Sequence, residues 1–206
     1  MHNLKETTIK SYNKTASEYQ KVVSSFELLP EINEFILKVN KGGEILDLGC
    51  GPGHHALFFF NNDFSVTGID LSSEMIELAK KASVKSNFKI MDILTLDFQK
   101  ASFDGIWASA SLLHIPKNKI TPVLQKLKEI LIKDGILYIS LKQGNGSELF
   151  TDIRYGGVDK YYVYYQLEEI ENILKKIGFK ILKIELKGKR TTYDTNSWIH
   201  IFCKNI

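Results

Sequence analysis

The chemistry in this chain is concentrated in a few short stretches. Residues 44–53 read Glu-Ile-Leu-Asp-Leu-Gly-Cys-Gly-Pro-Gly. An apolar run, Ile45, Leu46 and Leu48, meets Gly49, Gly51 and Gly53, and the stretch from His54 onward can open a helix. This is the pattern of a buried strand, a tight turn and a helix start. Glycine admits positive φ and puts no Cβ in a ligand's way. A helix start presents unpaired N–H groups and a partial positive charge. The turn is therefore suited to holding a small polar molecule against the backbone. Asp70 follows a second apolar run, and a carboxylate there can accept hydrogen bonds from both hydroxyls of a ribose. A dinucleotide fingerprint would need glycine at position 54, which is His54, so an NAD enzyme is disfavoured. His114 adds a group of near-neutral pKa, suited to act as a base or an orienting donor.

The elements that must position these groups follow from periodicity and punctuation. Ile9, Tyr12, Ala16, Tyr19 and Val23 recur at three- and four-residue spacing and predict a helix over 4–23. A second helix is expected over 25–39, with Pro30 near its start, Leu29, Ile32, Phe35, Ile36 and Val39 apolar, and Gly42-Gly43 as its stop. Strands are expected at 45–48, 64–70, 87–91, 103–110 and 136–141, with helices at 53–62, 72–82 and 116–133 between them. Ser72 and Ser73 can cap the helix after Asp70, which leaves that carboxylate for a ligand. Residues 142–165 read as a long irregular loop, although the alternation at 161–165 also allows a short edge strand. A helix over 166–177, stopped by Gly178, and strands over 179–186 and 196–203 complete the chain.

Composition narrows the class. With 206 residues, 27 basic and 24 acidic side chains and a formal charge of +3, the chain suits one domain and does not require a nucleic-acid partner. Cys50 and Cys203 give no disulfide framework, and no Cys/His cluster has zinc spacing, so a reducing cytoplasm and no metal are expected. The first six residues are polar and lack a signal-peptide core, and no apolar run is long enough to span a membrane.

Taken together, these motifs resemble those of class I S-adenosylmethionine (SAM)-dependent methyltransferases. The pattern Asp47-x-Gly49-x-Gly51-x-Gly53, with Cys50 inside it, resembles their first motif. "GIDLSSEMIELAKK", with Asp70, Leu71 and Met75, closely resembles the second. "SFDGIWASASLLHIPK", with Ala108, Ser109 and His114, resembles the fourth-motif region, and "LKEILIKDGILYISLK" the strand that follows it. In the latter, Ile136 stands where the family pattern has a second glycine. "SYNKTASEY" resembles the opening of many small members, whose tyrosines touch the cofactor or line the acceptor cavity. Here these are Tyr12 and Tyr19, which also suit plain packing. The resemblance implies an α/β fold: a doubly wound, Rossmann-like, seven-stranded, mostly parallel sheet with an antiparallel last strand and a helical N-terminal cap. It implies one domain over 1–206, with cap 1–40, cofactor-binding core 44–141, and acceptor loop and closing hairpin 142–206. It implies SAM as cofactor and S-adenosylhomocysteine as product. Asp92 would take the adenine amino group, and the N–H of Ile93 would face a ring nitrogen.

The acceptor is read by loops and is less specified. Adenine-N6 enzymes carry Asn/Asp-Pro-Pro-aromatic after the fourth strand, where this chain has Ser109-Ala110-Ser111-Leu112. Cytosine-C5 enzymes use a catalytic cysteine near that place or after the fifth strand, and neither position has one. A small molecule with an oxygen or nitrogen acceptor is expected. A tRNA- or protein-modifying enzyme and a non-catalytic SAM-binding module are the alternatives. Lys142, Arg154, Tyr162 and Tyr164 are candidates for the acceptor pocket, and His114 is a candidate base or wall of the site. The basic turn 187–190 reads as a solvated connection.

Overall fold

The structure, a computed structural model, describes residues 2–24, 30–189 and 195–206. Its strands are β1 (Glu44–Leu48), β2 (Ser65–Asp70), β3 (Asn87–Ile90), β4 (Phe103–Ser109), β5 (Leu131–Lys142), β6 (Ser147–Asp152), β7 (Val158–Val163), β8 (Phe179–Lys187) and β9 (Trp198–Asn205). Its α-helices are α1 (His2–Ser24), α2 (Pro30–Ile36), α3 (His54–Asn61), α4 (Ser73–Ala82), α5 (Lys117–Ile130) and α6 (Leu167–Ile177). The expected start of the second helix, including Leu29, lies outside the described residues, as does Arg190 of the basic turn.

Seven strands form one sheet in the order β3-β2-β1-β4-β5-β9-β8. The first five are parallel, and β9 runs antiparallel to both β5 and β8. Period-two alternation distributes side chains to two faces. Leu46, Leu48, Ile106, Ala108, Leu137 and Ile139 face one core, closed by α5 and α6 through Leu124, Leu127, Ile170 and Leu174. Ile45, Trp107, Tyr138 and Phe202 face the other, closed by Phe35 of α2, Phe59 of α3 and Ile76 of α4. Burial on both faces explains why these strands read as apolar runs without a polar side. Strand order reverses between β1 and β4, and the crevice at such a switch point is where open α/β sheets bind ligands.

The second helix, expected to reach residue 39, ends at Ile36, the last strand runs Trp198–Asn205 rather than 196–203, and two larger departures follow. The helix expected over 116–133 ends at Ile130, and Leu131–Lys133 join β5, where Leu131 pairs with Phe103. The N–H groups of Ala101 and Ser102 take the carbonyls of Glu129 and Ile130, and Asp134 turns at φ 64 inside the strand. The stretch 142–165 is not an irregular loop. It holds a β-hairpin, β6 against β7, paired from Ser147–Val163 to Asp152–Val158. Gly156 and Gly157, at φ 74 and 76, make the reversal that other residues resist.

The hairpin and α1 meet over the C-terminal edge of the sheet. Ser11 Oγ donates to the Asp159 carbonyl at 2.5 Å, and the Tyr161 N–H donates to Thr8 Oγ1 at 2.9 Å. On its other side, α1 holds the start of α4, where Ser72 Oγ donates to Asn13 Oδ1 at 2.7 Å.

Candidate active site

A cavity of about 360 Å³ lies at the switch point, between the strand ends and α1. Its floor is the glycine turn. The N–H groups of Gly49 and Cys50 both donate to the Ile69 carbonyl, at 2.8 and 2.9 Å, which binds the turn to β2. Gly49 and Gly51 line the cavity at φ 75 and 52. A Cβ on Gly51 would meet nothing nearer than Tyr19 at 4.0 Å, so a side chain there would project into open space. Gly53 has a different task. It caps α3 at φ 83, and a Cβ there would lie 2.8 Å from the Cα of Ala79, so it sets the close approach of α3 to α4.

Acids stand at the ends of β2 and β3. Asp70 accepts from the N–H of Ser72 at 2.8 Å and of Gly51 at 3.0 Å. Burial raises its pKa, and those hydrogen bonds oppose the rise. Ser72 caps α4 by accepting from the Met75 N–H, so Asp70 itself is not the cap. Asp92 accepts from the Leu94 N–H at 2.9 Å with one oxygen and pairs with Lys5 of α1 at 2.9 Å with the other. Below the turn, Asp47 is buried and its Oδ2 has no hydrogen-bond partner. Burial, reinforced by the Asp70 charge, pushes its pKa up to about 8. The Ser111 hydroxyl is likewise buried without a partner.

Opposite these acids stands His114, in a short turn of 3-10 helix, Leu112–His114, after β4. Its Nδ1 is 2.6 Å from the Tyr161 carbonyl, and its Nε2 is 3.0 Å from the Tyr12 hydroxyl. Burial lowers its pKa to about 4, the Tyr161 carbonyl pulls the other way, and Lys160 and Lys142 add to the lowering. The imidazole is therefore neutral at physiological pH, as a base must be.

Tyr12, Tyr19, Gly49, Gly51, Asp70 and Leu71 line the cavity, as do Met75, Asp92, Ile93, Ser109 and His114. The other candidates lie elsewhere. Cys50 and Ala108 are buried in the two cores, and Asp47 and Gly53 support the turn from below and behind. None of the four further acceptor-pocket candidates, Lys142, Arg154, Tyr162 and Tyr164, lies on the cavity wall. Tyr162 stacks on His114, with ring centroids 5.2 Å apart, and Lys142 Nζ sits 3.8 Å from the Tyr162 ring centroid. Arg154 grips Asp152 with Nε and Nη2 at 2.6 and 2.8 Å, and Tyr164 donates to Glu148 at 2.5 Å. In their place Tyr161 lines the cavity. Side chains alternate along β7, which turns Tyr161 to the cavity and Tyr162 away from its wall; Tyr164 follows the strand's end. Lys5, Ser111 and Lys119, which carry no motif signal in the sequence, also line the cavity.

A doubly wound sheet with a glycine turn at its switch point and acids at the next two strand ends defines a nucleotide-type binding domain. Comparison with known proteins makes the class specific. The methyltransferase domain family matches residues 45–135. An O-methyltransferase of Pyrenophora dematioidea is 30% identical over 163 residues, or 71% of this chain and 58% of its own length. The chain thus spans little more than half of that relative. Among solved structures, a SAM-dependent methyltransferase of Methanosarcina mazei superposes with a TM-score of 0.77 at 24% identity, covering 88% of this chain and 99% of that one. The 1,6-didemethyltoxoflavin-N1-methyltransferase of Burkholderia thailandensis, solved with S-adenosylhomocysteine, superposes with a TM-score of 0.78 at 17% identity over 98% of this chain and 89% of its own. Residues 45–135 thus match the methyltransferase domain family, and the chain has the fold of these SAM-dependent methyltransferases. No His/Cys/Asp/Glu group able to hold a metal, and no helix long and apolar enough to cross a membrane, occurs among the described residues.

Proposed function

We propose that the cavity binds SAM and that the chain transfers its methyl group to the oxygen or nitrogen of a small molecule. The observation that carries this reading is one cavity lined by the Gly49–Gly51 cradle, Asp70 and Asp92 together with a neutral histidine, His114. The residues fit the cofactor. Gly51 leaves room for a ligand against the backbone, and Asp47 and Ser111 carry buried polar atoms without partners beneath the same turn. Asp70 would accept from the ribose hydroxyls, Asp92 and Ile93 would take the adenine edge, and Leu71, Met75 and Met91 would flank its faces. Carbonyls at the end of β4, at Ala108 and Ser109, would lie beside the amino-acid end, with Tyr12 and Tyr19 above it.

When bound, the sulfonium supplies an activated methyl group. The protein's share is to align the acceptor, exclude water and take up a proton. His114 is the base at hand. The name of the Pyrenophora relative favours oxygen as the accepted atom. We assign cofactor binding to residues 44–141 and acceptor selection to α1 and the stretch after β5, in a single domain. We place the protein in the cytoplasm, where its two buried free thiols remain reduced.

Titration calorimetry with SAM, S-adenosylhomocysteine and, as control, NAD tests the reading. Micromolar binding of the two adenosyl ligands is expected, and none of NAD. Asp70→Ala should weaken S-adenosylhomocysteine by about 100-fold while circular dichroism stays unchanged, because hydrogen bonds to a charged partner are worth roughly 1.5–3 kcal/mol each. Absence of adenosyl binding to the wild-type protein would overturn the proposal.

A further inference from the structure

His114 is engaged at both ring nitrogens. The Tyr161 carbonyl, 2.6 Å from Nδ1, can only accept, so Nδ1 carries the ring proton. In the neutral imidazole Nε2 is then the acceptor, and the Tyr12 hydroxyl at 3.0 Å must donate to it. The basic lone pair of His114 is therefore covered by a phenol, and that phenol belongs to a residue that itself lines the cavity. A cation stands against the same ring. Lys160 Nζ lies 4.6 Å from the Tyr12 centroid, is 1% exposed, and is held by Asp152 at 3.3 Å. A buried positive charge in that place favours negative charge developing on the phenol oxygen.

We propose that Tyr12 is the catalytic group that touches the methyl acceptor, with His114 as the base behind it, so that the acceptor's proton leaves through a two-residue relay. This rests on the methyl-transfer reading above. The acceptor atom bonds to the methyl carbon, and the carbon–sulfur bond breaks with its electron pair staying on sulfur. The acceptor's proton passes to Tyr12 Oη while Tyr12's own proton passes to His114 Nε2. One positive charge leaves sulfur and one arrives on the imidazole, whose N–H groups then face Tyr161 O and Tyr12 Oη. Burial, with the charges of Lys160 and Lys142, disfavours that imidazolium, so the ring gives up its proton when the product leaves.

The relay can be tested without cofactor or acceptor. N-Acetylimidazole acetylates tyrosine oxygen, and peptide mapping reads each site separately. A free tyrosine reacts through its phenolate, so its rate climbs about tenfold per pH unit below its pKa near 10. With His114 as a fixed base, Tyr12 should react at a rate nearly flat between about pH 6 and 8, because an imidazole of pKa about 4 stays neutral throughout that range. His114→Phe should slow Tyr12 by about tenfold or more at pH 6 and restore the climb. A wild-type Tyr12 rate that climbs like a free tyrosine, or a Tyr12 that is not labelled, would overturn the relay. Imidazole ¹⁵N spectra of the wild-type protein give a second measurement that needs no folded variant at His114. The Nδ1–H tautomer is expected, and the Nε2–H tautomer would overturn the proposal. Both measurements are independent of the S-adenosylhomocysteine titration, so failure of the relay and failure of SAM binding are separable.

Discussion

On the reading proposed above, Asp47, beneath the glycine turn, prepares the binding site before any ligand arrives. It is 1% exposed, one of its oxygens lacks a partner, and its carboxyl is pushed up to about 8 by burial and by Asp70. At pH 7 the free protein therefore holds mostly the protonated acid. A bound cation, such as the ammonium of the cofactor's amino-acid end, reverses the balance by favouring the carboxylate. Binding of S-adenosylhomocysteine at pH 7 should thus release up to about one proton. Calorimetry in two buffers of different ionisation enthalpy reads this number directly, and Asp47→Asn should abolish the release. The affinity should rise with pH towards about 8 and then level off.

At the scale of elements, two glycines of one turn should fail in different ways when given side chains. Gly51→Val adds its branch in open space beside Tyr19, so it should block S-adenosylhomocysteine while lowering stability only by the strain of φ 52. Gly53→Val meets the backbone of α4 at 2.8 Å as well as an unfavourable φ of 83, so it should lower stability by several kcal/mol, of order 3 or more. Urea denaturation alongside ligand titration separates the two outcomes. This turn was legible in the sequence because strand, glycines and helix are contiguous, and its chemistry follows from local spacing. The β6–β7 hairpin was not, because its phase is fixed by Thr8 and Ser11, about 150 residues away in the chain. The same distance hid the Lys160 cation beside Tyr12. The C-terminus of α5 is not legible for a related reason: the carbonyls that end it are taken by Ala101 and Ser102, which precede the helix.

For the molecule as a whole, two sets of buried groups oppose each other as the pH changes. Burial lowers His54 and His114 to about 4 and His55 well below 6.5. The unfolded chain takes up protons below 6.5 that the folded one refuses, so this stability is full above 6.5 and is lost as pH falls towards 4. Asp47 acts in the opposite sense. The folded protein keeps a proton between 3.8 and about 8 that the unfolded chain releases, so its contribution is full below 3.8 and is lost as pH rises to about 8. Between about pH 4 and 6.5 the two slopes partly cancel. Asp47→Asn should remove one of them, steepening the loss of stability on acidification by roughly 1.4 kcal/mol per pH unit. The variant should also be more stable than the wild-type protein near pH 8. Urea midpoints across that pH range check both.

On the proposed assignment of Asp92 to adenine, the ion pair between Lys5 and Asp92 makes the protein a competitor for its own ligand. One Asp92 oxygen is occupied by the first turns of α1, on the same carboxylate assigned to the adenine amino group. A ligand arriving there must share that oxygen or displace the lysine, so the ends of α1 and of the ligand take turns at one acid. Lys5 is 41% exposed, and such pairs are worth only about 0.2–1 kcal/mol. That is too little to shut the site and enough to bias it. Added salt, which weakens the internal pair, would then help adenine in rather than keep it out.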